Sequence, residues 1–96
     1  MHITFEWDPE KNRANYKKHK VWFDEAKTVF YDQDARLIHD PDHTEDEDRW
    51  VMLGMSGKLR LLTVCHSYRK NDAVIRIFSA RKAEKDERIN YGRYIK

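Results

Sequence analysis

At 96 residues the chain has room for one domain with a small core. Charged residues make up 38% and mean hydropathy is −0.98, yet tryptophan, phenylalanine and the β-branched residues supply too much apolar surface for a disordered chain. No run approaches the roughly 18 apolar residues of a membrane span, the opening MHITFEWDPE lacks a signal-peptide pattern, and Cys65 has no second cysteine to bridge, so a cytoplasmic protein is expected. The net charge of +2 hides a division: residues 1–48 hold 7 Lys/Arg against 13 Asp/Glu, and residues 49–96 hold 12 against 4. A basic half of this kind draws in polyanions.

In chain order, His2 to Trp7 alternates, with Ile3, Phe5 and Trp7 on one face, and predicts a strand. Asp8-Pro9 is a helix-start signal, and the helix runs from Pro9 to about His19 with a basic end. A second helix is expected from Asp24 to Phe30, carrying Phe23, Ala26, Val29 and Phe30 on its apolar side, followed by a short strand over 35–39. Residues 40–48 form an acidic loop. A calcium loop of the EF-hand type needs glycine sixth and glutamate twelfth; Glu45 and Val51 stand there instead, so no metal is expected. Three strands follow, Arg49–Met55, Leu59–Tyr68 and Ala73–Ser79, joined by Ser56-Gly57 and Lys70-Asn71-Asp72. After Ser79, read as the cap, Ala80, Ala83, Glu87, Tyr91 and Tyr94 fall at helical spacing. The expected fold is α+β in a single domain, residues 1–96: an N-terminal strand, two helices, an antiparallel meander and a C-terminal helix.

Alternation places Arg60, Leu62, Val64, His66 and Tyr68 on one face of their strand, with Leu61, Thr63 and Cys65 on the other. Arg49, His66, Tyr68, Arg76, Arg81 and Tyr91 are then candidates for one basic-aromatic surface. Metal-independent RNA cleavage needs a base for the 2′-hydroxyl, cations for the charge at phosphorus and an acid for the 5′-oxygen. Arginine forks suit the second role, so Arg49, Arg76 and Arg81 are the candidates there. His66 is the acid or base nearest neutral pKa, and Glu47 or Glu87 is the alternative base. Lys58, Arg60, Tyr68, Arg69, Arg88 and Tyr91 are candidate RNA contacts. Duller readings stand beside these: Arg76 paired with Glu87 to pin the last helix, Arg81 and Arg88 paired with Glu84, His66 a core residue, and Tyr91 helix packing.

Three segments, FEWDPEKNRANYKKHKVWFDEAKTVFYD, EDEDRWVMLGMSGKLRLLTV and RIFSARKAEKDERINY, together resemble the BrnT toxins of bacterial toxin–antitoxin pairs across nearly the whole chain. Trp7, Asp8, Lys11 and Asn15, the Lys18-His19 pair, Arg49, and Arg76, Ser79, Ala80, Arg81, Glu87, Arg88 and Tyr91 carry the likeness. Trp22 departs from it, standing where a serine-like cap is usual, and Glu45–Asp48 is heavier in acid. The resemblance implies a RelE-like fold and a cofactor-free endoribonuclease that inhibits translation. It also implies a BrnA-like ribbon-helix-helix antitoxin, with operator DNA bound only through the joint complex. A catalytically inactive antitoxin-binding module, or a toxin of the same fold acting on DNA gyrase, are the alternatives.

Overall fold

Two residues after the first strand ends at Glu6, Asp8 opens the first helix. Its carboxylate accepts from the Glu10 N–H at 2.9 Å and Pro9 takes the first helical turn. That helix, α1, covers Pro9–His19 and stops where Lys20 turns left-handed at φ 62°. The computed structural model describes residues 3–40 and 48–93. Within them β1 is Thr4–Glu6, and α2 (Phe23–Ala26) tightens directly into a 3-10 helix, Lys27–Tyr31. Then come β2 (Arg36–Asp40), β3 (Arg49–Met55), β4 (Leu61–Arg69), β5 (Val74–Lys82) and α3 (Lys85–Arg93). The strands form one sheet in the order β1-β5-β4-β3-β2.

β2 to β5 pair antiparallel in sequence, as expected, but β1 lies parallel to β5 (Phe5 opposite Ile75), so the sheet is mixed. α1, α2 and the 3-10 helix supply the cover for one face. There Val21, Phe23, Ala26 and Val29 meet Leu62, Val64, Ile75, Ile77 and Ala80, all essentially buried. A side chain such as Phe23 or Leu62, fully removed from water, contributes roughly 1.5–3 kcal/mol. The other face has a smaller core, in which Tyr91 of α3 and Ala83 pack on Leu53 with Met55 and Leu61 alongside. Gly54 permits the close approach of β3 to the 3-10 helix: a Cβ there would stand 3.1 Å from the Val29 carbonyl oxygen.

Several expected boundaries move. The second helix begins at Phe23, with Trp22 before it making no side-chain cap bond. β4 begins at Leu61, because Leu59 adopts a left-handed φ of 62° in the turn. Ser79 is not a cap. β5 continues to Lys82 because Thr63 still pairs with Arg81 and Leu62 with Lys82. The buried Asn15 amide also holds this edge, donating to the Ala80 carbonyl at 2.8 Å and accepting the Ala80 N–H at 3.1 Å. Glu87 opens α3 instead, its carboxylate accepting the Glu84 N–H at 2.8 Å. The acidic segment 41–47, with Glu45 and Glu47, and Tyr94 lie outside the described residues.

Candidate active site on the α3 side of the sheet

Cross-strand register gathers the candidate chemistry on the face that, among the described residues, only α3 covers. One row runs Val51, Cys65, Ser79 and the next Leu53, Thr63, Arg81. Arg81 and Glu87 form a two-pronged pair at 2.8 and 3.0 Å, linking β5 to α3. Arg81 also donates to the Lys82 carbonyl. Burial pulls the Glu87 carboxyl upward, but bonds from Arg81 and the Glu84 N–H outweigh it and hold the group below the usual range. The Arg81 guanidinium is correspondingly pushed up by Glu87. At neutral pH the site therefore holds an ionised carboxylate clasped by a guanidinium.

Beside this pair, Cys65 makes side-chain hydrogen-bonding contacts with Arg49 and Ser79; burial raises its thiol pKa, with Arg49 opposing. The Arg49 guanidinium lies 4.2 Å from the Phe78 ring centroid, and Lys11 of α1 reaches the same ring at 5.6 Å. Phe78 sits at a bulge, where pairing slips between Cys65 and His66. The α3 side thus carries a cationic patch spread over three pairing rows: Arg81 clasped by Glu87 in one, Cys65 and Ser79 in the next, and Arg49 in the one beyond. Such a patch can bind a phosphodiester and move a proton at a carboxylate oxygen.

Several other expected members lie elsewhere. His66 does not join Arg76 and Arg81. It is fully buried on the helix-covered face, edge-on to Phe30 at 4.7 Å. Its Nδ1 is 3.1 Å from the Val64 carbonyl oxygen, so that nitrogen donates, and Nε2 accepts from the Tyr68 hydroxyl at 3.1 Å. Burial drives its pKa from 6.5 to about 4, which leaves it neutral and away from solvent. Arg76 shares the α3 side with Arg81 but pairs with Glu6 of β1 at 3.0 Å, not with Glu87. Arg69 also reaches Glu6, at 3.5 Å.

Arg60 belongs to the helix-covered side, where Glu25 takes its Nε at 2.8 Å and the Lys20 carbonyl takes Nη2 at 3.1 Å. Lys58 is exposed in the turn nearby. Arg88 donates to the Ala83 carbonyl at 2.8 Å and so ties α3 to the end of β5. Tyr91 is buried and its hydroxyl donates to Asp32, a packing role. Tyr68 lines a cleft of about 580 Å³ with Trp50, Leu37, Asp48 and Asp72; those carboxylates make it a poor seat for a polyanion. Glu47 lies outside the described residues.

Sequence reasoning passed over Cys65, noted only as a cysteine without a partner to bridge, and Ser79, read as a cap. Alternation already put Cys65 opposite to the His66 face; the bulge that brings Phe78 under Arg49 leaves no mark in the spacing. Among the described residues no group of three or more His, Cys, Asp or Glu is placed to hold a metal ion, and no helix is long and apolar enough to cross a membrane.

Residues 7–87 match the family model described as the ribonuclease toxin BrnT of type II toxin–antitoxin systems. No curated protein matches the chain. Among solved structures, the ribonuclease toxin BrnT of Brucella abortus is similar in fold, with a TM-score of 0.64 at 20% identity over 86% of this chain and 99% of that one. A family of toxin–antitoxin pairs implies an antitoxin partner. The family match spans the N-cap, every strand from β2 to β5 and the Arg81–Glu87 pair, and the chain belongs to the BrnT ribonuclease toxins of type II toxin–antitoxin systems.

Proposed function

We propose that the protein is a metal-independent endoribonuclease whose site is the α3 side of the sheet, and that it arrests translation by cutting RNA. The observation that carries this reading is the Arg81–Glu87 pair standing on the same face as Arg49. The phosphodiester lies on Arg49, whose fork matches two phosphate oxygens, and Arg81 adds positive charge while its own fork holds Glu87. Glu87, ionised at neutral pH, takes the 2′-hydroxyl proton. The 2′-oxygen attacks phosphorus, the bond to the 5′-oxygen breaks, and that oxygen takes a proton from solvent. The products are a 2′,3′-cyclic phosphate and a 5′-hydroxyl. Arg76, tied to Glu6, borders the phosphate track.

The antitoxin is a BrnA-like ribbon-helix-helix protein, and operator DNA is met only through the joint complex. Inhibition follows when an acidic segment of the antitoxin covers Arg49 and Arg81. The test is RNA incubated with purified protein in EDTA, with product ends identified. Cutting to cyclic phosphate ends is expected, and Glu87→Gln, which can keep a bond to Arg81 while losing the base, should cut roughly 10²–10⁴-fold more slowly. Intact RNA from folded protein would sink the proposal. A second reading has its own observation: Arg81 and Glu87 also pin α3, as they would in an inactive antitoxin-binding member. There Glu87→Gln would lower stability and change no RNA.

A further inference from the structure

The corner between α1, α2 and the β3–β4 turn carries a feature that the cleavage chemistry does not use. The rings of Tyr16 and Trp22 are stacked, with centroids 4.1 Å apart and planes 11° from parallel. Trp22 nonetheless keeps 40% of its surface exposed. Lys20, at the left-handed end of α1, reaches over Tyr16 at 5.5 Å. Across the corner stand Lys58 and Arg60, and together these residues and Glu25 line an open cleft of about 520 Å³. Glu25 does not cancel the local charge on its own account. It is a buried carboxylate bonded by Arg60 and by the Ser56 hydroxyl, which hold its pKa down against burial. The adjoining Asp24 pairs with Lys27 at 3.9 Å. Exposed cationic charge in the cleft therefore comes from Lys20 and Lys58, beside a flat aromatic surface.

We infer that the Tyr16–Trp22 stack with Lys20 and Lys58 is a second RNA-binding site, holding one unpaired nucleotide away from the scissile bond. A base stacks on the indole and its phosphate meets the two ammonium groups, the combination by which proteins hold single-stranded nucleic acid. The inference rests on the reading that RNA is the substrate. Topology agrees with it: Leu62, two residues beyond Arg60, pairs with Lys82, next to Arg81. The cleft and the Arg81 site thus share one end of the sheet, on its two faces, and a strand leaving Arg81 reaches the cleft by passing that end.

The experiment measures binding of a labelled single-stranded RNA of about ten nucleotides to the Arg81→Ala protein, and KM and kcat in the otherwise native chain. Trp22→Ala and Lys58→Glu are each expected to weaken binding about tenfold, since base–aromatic stacking contributes about 1–3 kcal/mol, and to raise KM with kcat unchanged. Trp22→Phe should restore most of the affinity. Indole fluorescence in a Trp7→Phe, Trp50→Phe background should be quenched by the RNA and not by inorganic polyphosphate, which lacks bases. Affinity and KM within twofold of native in both Trp22→Ala and Lys58→Glu would overturn the inference. So would loss of antitoxin binding with RNA affinity unchanged, which would make the corner a protein interface. Should RNA bind through Trp22 yet never be cut, the nuclease reading fails and this one stands.

Discussion

His66 and Cys65 are neighbours on β4 and live in different media. His66, 0% exposed under Phe30, has lost its charge to burial and points only at protein partners. Cys65, half-buried on the α3 side, lies between Arg49 and Ser79. Residue type alone favours the histidine as the chemical group. The layer that covers each face reverses the choice: among the described residues, two helices and a 3-10 turn seal one side, while a single nine-residue helix shelters the other. An acid or base must meet solvent or substrate to exchange a proton, and only the α3 side allows this.

The strongest way to break the contrast is to remove one candidate group from each face. Arg49→Ala should cut RNA cleavage by about 10²–10³-fold, equivalent to about 2.7–4 kcal/mol of transition-state stabilisation. His66→Leu should leave the rate and its pH profile within about threefold of native, the scatter of a neutral core change. Cleavage rates measured across pH on protein of native circular dichroism decide this. A His66→Leu protein that folds but cuts no RNA would return the histidine to the reaction.

The same histidine gives the next effect, on stability. Its folded pKa of about 4 lies below the unfolded 6.5. Between those values the unfolded chain holds a proton that the folded chain refuses, so stability is full above 6.5 and declines as pH falls toward 4. The whole loss is about 3 kcal/mol. Urea midpoints at pH 7 and pH 4.5 should differ more in the native protein than in His66→Leu. Glu25 and Glu87, also held below their usual range, lose stability at lower pH still and do so in both proteins.

Asn15 sharpens the comparison at the sheet edge. Its amide donates to the Val21 and Ala80 carbonyls and accepts the Ala80 N–H, standing in for a strand beside β5 where β1 has ended. Asn15→Ala strips these buried groups of partners and should lower stability by about 2–3 kcal/mol. A fall in the urea midpoint at constant slope is the expected signature.

Much of this architecture was legible in local chemistry. Asp8-Pro9, the turn at Lys70-Asn71-Asp72 and strand alternation each act within a few residues, and each placed its element. Lys70, Asn71 and Asp72 all take left-handed φ values, 52°, 58° and 68°, as a tight turn of polar residues suggests. What escaped was set by distant partners. β5 runs past Ser79 because Asn15, 65 positions away, holds Ala80. The parallel placement of β1 depends on which edge is left open. Arg81, rather than Arg76, meets Glu87 because the strand extends to Lys82 and delays the helix by five residues, to Lys85. The basic surface was sought on β5, where Arg76 and Arg81 do share one side of the sheet, but alternation could not say which face the helices would seal.

The light cover of the α3 side itself yields the smallest prediction. Beyond the Arg81–Glu87 pair and the Arg88 bond to Ala83, α3 is held by Tyr91, whose hydroxyl donates to Asp32. Burial and the Asp32 carboxylate both push the phenol pKa upward, so it stays a donor across the working range. Tyr91→Phe keeps the ring packed on Leu53 and Ala83. It also leaves Asp32 accepting the Met55 N–H at 2.7 Å and the Asp34 N–H at 2.9 Å, so the carboxylate is not stranded. Only the one hydrogen bond is lost, about 1 kcal/mol. Amide exchange should locate that loss in α3, with its protection falling about fivefold while β4 and β5, backed by the larger core, hold theirs. Equal loss in the central strands would mean that α3 is as integral to the fold as α1, and the contrast between a sealed face and a sheltered one would not hold.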